Sequence, residues 1–143
     1  MSKQLEHGMQ CRLIGRTRIQ YRRQIELNIL HIQSDQNAEP RDPVRGRRLK
    51  AAGMVAGVPD VLITGFGARV LWIELKAPGG KISKSQRAWH ETHRTMGFQV
   101  EVCDDEETAW ALIQDFARVS EWAWEQAQQA AAGAADGAPW EAV

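Results

Sequence analysis

Three charged residues stand at the ends of two apolar runs in the middle of the sequence. Asp60 precedes the run VLITG, and Glu74 and Lys76 fall near the end of the run RVLWIELK. The short, glycine-containing connector GFGA favours an antiparallel hairpin, because a parallel crossover needs about a dozen residues or more. In that hairpin the position opposite Asp60 lies near Glu74, and opposed Cβ atoms are about 4.5–5.5 Å apart. Glu74 and Lys76 point to the same face of their strand, so the three charged groups are expected to converge.

Convergence of two carboxylates and an amine has a chemical use. Carboxylates about 4 Å apart repel each other by about 4 kcal/mol at an effective dielectric constant near 20. Lys76 offsets part of this repulsion, and a divalent cation offsets more. Carboxylates, the Leu75 carbonyl and water are the hard oxygen ligands that Mg²⁺ or Mn²⁺ prefers. A water on such a metal is acidified and, beside Lys76, can attack a phosphodiester. The pattern therefore indicates metal-dependent hydrolysis of a nucleic-acid backbone.

Each residue also has a plainer interpretation when it is taken alone. Asp60 follows Pro59 and suits a turn at the start of a strand, and Glu74 with Lys76 suits an exposed charge pair on a sheet. The apolar context VLWI favours a strand that is buried on both faces, where an unpaired glutamate is costly.

The charge of the chain is segregated, although it sums to zero. Lys and Arg outnumber Asp and Glu by 11 to 5 in residues 1–50 and by 6 to 3 in residues 51–96, whereas residues 97–143 hold 1 basic and 10 acidic side chains. The first two thirds of the chain can thus present a cationic surface to a polyanion, which makes nucleic acid a candidate partner. The same arginines would also suit solvated helix faces.

Other classes of protein are disfavoured. No apolar run approaches the roughly 20 residues that span a bilayer, and no secretory signal is visible, so we expect a cytoplasmic protein that inserts in no membrane. Cys11 and Cys103 lack the spacing of a disulfide framework or a zinc site. The histidines show no HExxH-like spacing. His90 and His93 can approach a phosphate from their predicted helix, but packing or surface roles are the commoner ones.

The predicted elements position the charged residues on a small sheet. A single domain is the simplest organisation for 143 residues, with residues 1–126 as the domain and the Ala/Gly-rich residues 127–143 as a flexible tail. The predicted order is a helix (4–24), a strand (28–33), a turn-rich loop, a short basic helix (VRGRRLKAAG), the hairpin (61–65 and 69–76), a helix (83–96) with a Ser83/Gln86 capping box, a strand (98–103) and a long amphipathic helix (104–130). This order predicts a mixed α/β core.

The residues so far match a known pattern. The motif PD…ExKxPGG, followed by S-x-x-Q, W and G-x-x-V, resembles the VRR-NUC domain of the PD-(D/E)xK nuclease superfamily, in particular its small stand-alone phage and prophage members. The resemblance extends from residue 1 to about residue 113. It implies an α/β fold with a restriction-endonuclease-like core, in which helices flank a small mixed central sheet. It also implies a Mg²⁺- or Mn²⁺-dependent endonuclease that hydrolyses DNA in a bacterium or a phage-infected cell.

The resemblance assigns roles to single residues. It implies that Asp60, Glu74 and the Leu75 carbonyl are metal ligands. It implies that Lys76 positions the attacking water or stabilises the transition state.

For three further residues the match to the family motif is looser or has an alternative. Gln86 matches the family's helix glutamine beside the site, although the capping box alone also explains it. Glu6 matches an acid on the N-terminal helix that reaches the metal directly or through water, and Glu26 is the alternative. Asn37 is a possible DNA contact in the loop SDQNAEPRDP.

Substrate preference follows from the same resemblance. Similar small members act on branched DNA such as four-way (Holliday) junctions, and a homodimer joined through the Trp/Ala-rich last helix is expected. A DNA-binding module without catalysis, or an adaptor protein that uses the acidic last helix, remains an alternative.

A basic rim is expected to contact phosphates without reading bases. Its residues are Arg45, Arg47, Arg48, Lys50, Lys81, Lys84 and Arg87.

Overall fold

The computed structural model describes residues 1–35 and 42–136, and in these ranges four strands form one mixed sheet in the order β1-β2-β3-β4. The strands β1 (Leu30–Ser34), β2 (Val61–Gly65) and β3 (Arg69–Leu75) pair antiparallel, and β4 (Gln99–Cys103) runs parallel to β3. The described helices are α1 (Ser2–Gln20), α2 (Arg22–Glu26), α3 (Pro43–Ala51), α4 (Lys84–Thr95) and α5 (Glu106–Asp136). The predicted mixed α/β core and the antiparallel hairpin are confirmed.

The helix prediction was wrong at two boundaries. The segment predicted as one N-terminal helix is divided at Tyr21, whose φ of −110° and ψ of 27° leave the helical region while its ring packs on Trp110. The helix α5 continues through Asp136, into the segment for which the sequence predicts a flexible tail. Alanine is the strongest helix former, so the Ala-rich composition extends this helix instead of ending it. The proposed DNA contact Asn37 lies outside the described residues.

One face of the sheet forms the main hydrophobic core. Leu71, Ile73 and Leu75 of β3 are fully buried and share a cluster with Leu13 of α1 and Ile113 of α5. None of the described helices is long and apolar enough to cross a membrane.

The opposite face of β3 is covered by α4. Trp89 of α4 packs edge-on against Trp72 of β3, with ring centroids 5.1 Å apart. The predicted capping box is present, because Ser83 accepts from the Gln86 backbone and the Gln86 side chain accepts from the Ser83 backbone. Gly57, with a φ of +91°, passes so close to this helix start that an added Cβ would lie 2.3 Å from the Ser85 carbonyl oxygen. The glycine therefore lets the chain that leads to β2 run beside the start of α4.

Gly65, at the end of β2, packs tightly against α5, and a substitution at this glycine tests that packing. A Cβ added at Gly65 would lie 2.2 Å from Ser120 Oγ and 2.8 Å from the Phe116 ring. We expect Gly65→Ala to lower the free energy of unfolding by about 1–3 kcal/mol, because a methyl group forced into a packed site displaces its neighbours. Urea denaturation measures this change.

Gly15→Ala is the matched control. A Cβ at Gly15 of α1 meets no heavy atom within 4 Å. This substitution is expected to stabilise the protein by about 0.5–1 kcal/mol, since alanine is the better helix former. A Gly65→Ala variant as stable as the wild type would contradict the packing described for β2 and α5.

Candidate active site

Asp60 lies where the chain enters β2, across the hairpin from the end of β3. Val61 pairs with Ile73, so Asp60 falls opposite Glu74, as the hairpin predicts. The Leu75 backbone N–H donates to Asp60 Oδ2 over 2.8 Å. Asp60 is therefore held at the end of the sheet by the strand that carries the other acid.

Glu74 is the most deeply buried acid of the described chain, with 1% of its surface exposed. Gln86 Nε2 donates to Glu74 Oε1 over 2.6 Å, and Lys76 Nζ lies 3.0 Å from the same oxygen. The second oxygen, Oε2, is buried and has no hydrogen-bond partner in the described residues. Burying an acceptor without a partner is costly, so this oxygen is available to a proton, a water or a cation.

Burial and repulsion both act on the two acids. Burial, and then the negative charge of Asp60, raise the pKa of Glu74 to about 7, and Lys76 opposes that rise. Burial also raises the pKa of Asp60, whereas the Leu75 N–H and Lys76 lower it. Two acids that each resist ionisation beside the other form a site that gains from a cation.

Lys76 follows β3 directly and is held in place by the sheet. Its backbone N–H donates to the Cys103 carbonyl over 2.8 Å, which continues the pairing of β3 with β4. Its side chain is 12% exposed and reaches Glu74. The sheet thus brings Asp60, Glu74 and Lys76 together, as the sequence predicts.

Gln86 serves both of the roles that the sequence left open. The Ser83 backbone N–H donates to Gln86 Oε1 over 2.8 Å, as a capping box requires. This bond turns the amide nitrogen of Gln86 toward Glu74, which accepts from it. The start of α4 therefore fixes the orientation of the buried carboxylate.

The structure places Glu6, rather than Glu26, beside the site. Glu6 Oε1 accepts from the Ala77 backbone N–H over 3.0 Å, next to Lys76. Glu26 pairs with Arg22 on an exposed surface of α2. The sequence could not separate the two, since both lie on the N-terminal helical segment.

The oxygens present suit a hard divalent ion, although a third acidic ligand is not in place. Across the described ranges, no three His, Cys, Asp or Glu side chains cluster as a metal-binding group. The candidate ligands are the carboxylates of Asp60 and Glu74, with the unpartnered Oε2, and the Leu75 carbonyl. Carboxylate, carbonyl and water oxygens are the donor set of Mg²⁺ and Mn²⁺.

A cleft of about 530 Å³ opens beside these residues. Asp60 and Gln86 line it together with Arg47 and Lys50 of α3. The other basic residues of the predicted rim are exposed but do not line the cleft. They are Arg45, Arg48, Lys81, Lys84 and Arg87.

His90 is a residue whose position the sequence did not reveal. It is fully buried, and neither ring nitrogen has a partner in the described residues. Its spacing from Gln86, one helical turn earlier on α4, is the signal that could have placed it toward the sheet.

Comparison with known proteins identifies the family. The model of the VRR-NUC domain matches residues 21–106, a span that includes Asp60, Glu74, Lys76 and Gln86 but not Glu6. The chain therefore belongs to the VRR-NUC family, and the family implies a nuclease that acts on DNA. A solved structure described as a VRR_NUC domain protein is similar in fold, with a TM-score of 0.58 and 18% identity over 79% of this chain and 88% of that chain. No curated protein matches the chain.

The raised pKa of Glu74 predicts how stability depends on pH. The folded state binds a proton on Glu74 more tightly than the unfolded chain, so this stabilisation is complete below pH 4.5 and is lost as the pH rises toward about 7. Because one pKa unit corresponds to about 1.4 kcal/mol, the loss is on the order of 3 kcal/mol. Glu74→Gln has no such proton. Its free energy of unfolding is therefore expected to rise by that amount relative to that of the wild type over the same pH range.

Urea denaturation with a chelator present, from pH 4.5 to pH 8, measures this difference. Glu91→Gln, at an exposed position of α4, is the control and should follow the wild type. A Glu74→Gln variant with the same pH dependence as the wild type would show that the buried acid does not control it.

Proposed function

We propose that the protein is a metal-dependent endonuclease that hydrolyses DNA phosphodiester bonds and selects branched DNA such as four-way junctions. The observation that supports this most strongly is the buried Glu74 carboxylate, which has one oxygen held by Gln86 and Lys76 and the other without a partner. In a protein that only binds DNA this buried acid would lower stability at higher pH without serving a function, because its ionised form is costly to bury without a cation.

The metal would be held by Asp60, Glu74 and the Leu75 carbonyl. When bound, Mg²⁺ or Mn²⁺ supplies a Lewis acid that acidifies water and offsets the charge developing on the phosphate. Glu6 lies close enough to raise the pKa of both acids, which supports a role for it in reaching the metal through water.

The remaining residues orient the reactants. Lys76 carries a fixed positive charge at the end of β3, where it positions the attacking water or stabilises the phosphorane-like transition state. Gln86 holds Glu74 in one orientation, so that the acid need not reorganise during the reaction.

The basic side chains favour recognition of DNA shape over base sequence. Arg47 and Lys50 lie in the cleft with Asp60, where they can hold the phosphates that flank the scissile bond. The exposed cations on α3 and at the start of α4 extend this surface, and phosphate contacts of this kind carry no base information.

A cleavage panel tests the proposal. Junction, flap, splayed and linear DNA are incubated with the protein in Mg²⁺ or Mn²⁺. We expect cutting of branched substrates, and a loss of about 100-fold or more in rate for Glu74→Ala or Lys76→Ala, since each removes a group that stabilises the transition state. Glu91→Ala should cut as the wild type does.

The alternatives predict different results in the same assay. A DNA-binding module without catalysis would bind the panel and cut nothing. An adaptor protein that uses its acidic helix would not bind DNA even at low salt. Either result would overturn the proposal.

We also propose a symmetric homodimer through the second half of α5. Trp122 is 60% exposed there and borders a groove of about 490 Å³. Arg118 and Glu125 line the same groove, so this surface carries a positive and a negative side chain. Two copies can therefore pair through the same surface with opposite charges in contact, as in a self-complementary twofold interface.

Sedimentation tests the dimer. The wild type should sediment as a dimer and Trp122→Glu as a monomer, because a buried unpaired charge opposes association. Ala131→Glu adds the same charge at an exposed position nine residues later, half a turn around α5 from Trp122, and should leave the dimer intact. A monomeric wild type would exclude this interface.

A further inference from the structure

The cleft beside the candidate metal ligands is lined by three parts of the chain that differ in chemistry. The first is one face of α3, which carries Arg47 and Lys50. The second is the start of α4, with the hydroxyl groups of Ser83 and Ser85. The third is the segment 54–58, which connects α3 to β2 and leads directly into the site.

The segment 54–58 is apolar throughout. Its residues are Met54, Val55, Ala56, Gly57 and Val58, and all five line the cleft. Val55 exposes 58% of its surface. Ligand clefts typically combine an apolar lining with a few placed polar groups. The cleft thus offers an apolar surface next to its cations.

The apolar segment is held in position by the start of α4. Gly57 packs directly on the backbone of Ser85, so closely that this position leaves no space for a side chain. The same helix start carries Gln86, which binds Glu74. The apolar surface is therefore fixed relative to the candidate metal ligands.

The charge of the cleft suits a nucleic-acid strand. Arg47 and Lys50 are three residues apart on one face of α3, and neither forms an ion pair with a carboxylate in the described ranges. Asp35 and Asp60 also line the cleft, and Asp60 is a proposed metal ligand. The two cations can thus bind phosphates next to the place proposed for the ion.

An apolar surface distinguishes an unpaired strand from a double helix. In a double helix the bases stack on one another, and proteins reach only the phosphates and the base edges in the grooves. An unpaired strand exposes the flat faces of its bases. Proteins that bind such strands combine a cationic groove with side chains against which the bases pack. The lining of this cleft has both features.

The size of the cleft favours the same ligand. Its volume of about 530 Å³ lies within the range of small-ligand sites, about 300–1,000 Å³, which suits about one or two nucleotides. A double helix is much wider, since its major groove alone measures about 12 Å. A paired strand can therefore bring only its phosphates to the cleft, whereas an unpaired strand can also bring a base.

We propose that this cleft binds an unpaired segment of the strand that is cut, with its phosphates on Arg47 and Lys50 and a base packed against Met54 and Val55. This proposal rests on the proposed nuclease function and narrows its substrate to branched DNA that is unpaired next to the cut. Flaps and splayed arms offer such a strand directly. A four-way junction offers it only where base pairs open at the branch point.

Contact with a base is tested without cleavage. Methyl signals of the isotope-labelled protein are followed by NMR, with a chelator present, as a short single strand or the corresponding blunt duplex is added. The ring current of a packed base should shift the Val55 methyl signals upfield with the single strand and leave them nearly unchanged with the duplex. Val44, which is 48% exposed on α3 and does not line the cleft, is the internal control. Val55 signals that ignore the single strand, or that respond equally to the duplex, would overturn the proposal.

The contribution of the apolar surface is tested by affinity. Val55→Ser should weaken binding of the single strand by about fivefold, because part of an apolar contact is lost, and should leave binding of the duplex unchanged. Fluorescence anisotropy of labelled DNA measures both. Val44→Ser is the matched control and should bind both DNAs as the wild type does. A Val55→Ser variant that binds the single strand as tightly as the wild type would contradict the proposed contact.

The requirement for an unpaired strand is tested by cleavage. A splayed-arm substrate is compared with the same substrate after a complementary strand is annealed to the arm that is cut, so that the branch remains and only the pairing changes. We expect annealing to lower the cleavage rate by about tenfold or more, since a paired strand cannot pack its bases on the protein. Annealing to the other arm is the control. Equal cutting of the paired arm would overturn the proposal.

These tests separate two kinds of failure. If the wild type cuts none of the substrates, the nuclease proposal fails, and the NMR result alone decides whether the cleft binds an unpaired strand. If the wild type cuts paired and unpaired arms equally, the nuclease proposal stands and the preference for an unpaired strand is excluded.

Discussion

The burial of the Glu74 carboxylate is the constraint on which the rest of the structure depends. Glu74 lies between β3 and α4, and only one of its oxygens is satisfied by the chain. The hairpin sets Asp60 across from it, and the capping box at the start of α4 turns Gln86 toward it. Each local feature is thus also a part of the site, and the strain of burying an acid is relieved only by a proton or a cation.

Some of the segregated charges of the sequence form ion pairs within the fold. Arg12 and Arg16 of α1 pair with Glu106 at the acidic start of α5, and Arg16 also lies over the Trp110 ring. These arginines hold two helices together and contribute less to a cationic surface than the sequence suggests. The cations of α3, together with Lys84 and Arg87 of α4, form no ion pairs with described carboxylates and remain available to a polyanion, whereas Arg94 of α4 donates to the Val100 carbonyl.

Local chemistry explains what the sequence could predict. The short connector determined the hairpin, the hairpin determined the meeting of Asp60 and Glu74, and S-x-x-Q determined the cap of α4. Choices that depend on long-range packing were out of reach. Whether Glu6 or Glu26 joins the site depends on how α1 crosses the sheet, and the burial of His90 depends on how α4 lies on β3. Alanine gave a misleading signal, because a composition typical of tails also extends a helix.

The location of the ion is the most direct test of the central claim. Anomalous diffraction from a crystal soaked in Mn²⁺ would reveal it. The account predicts a peak about 2.0–2.2 Å from oxygens of Asp60 and Glu74 and from the Leu75 carbonyl, the range expected for a small hard cation. A crystal that shows no ion there, with both acids unchanged and Lys76 still paired to Glu74, would contradict it.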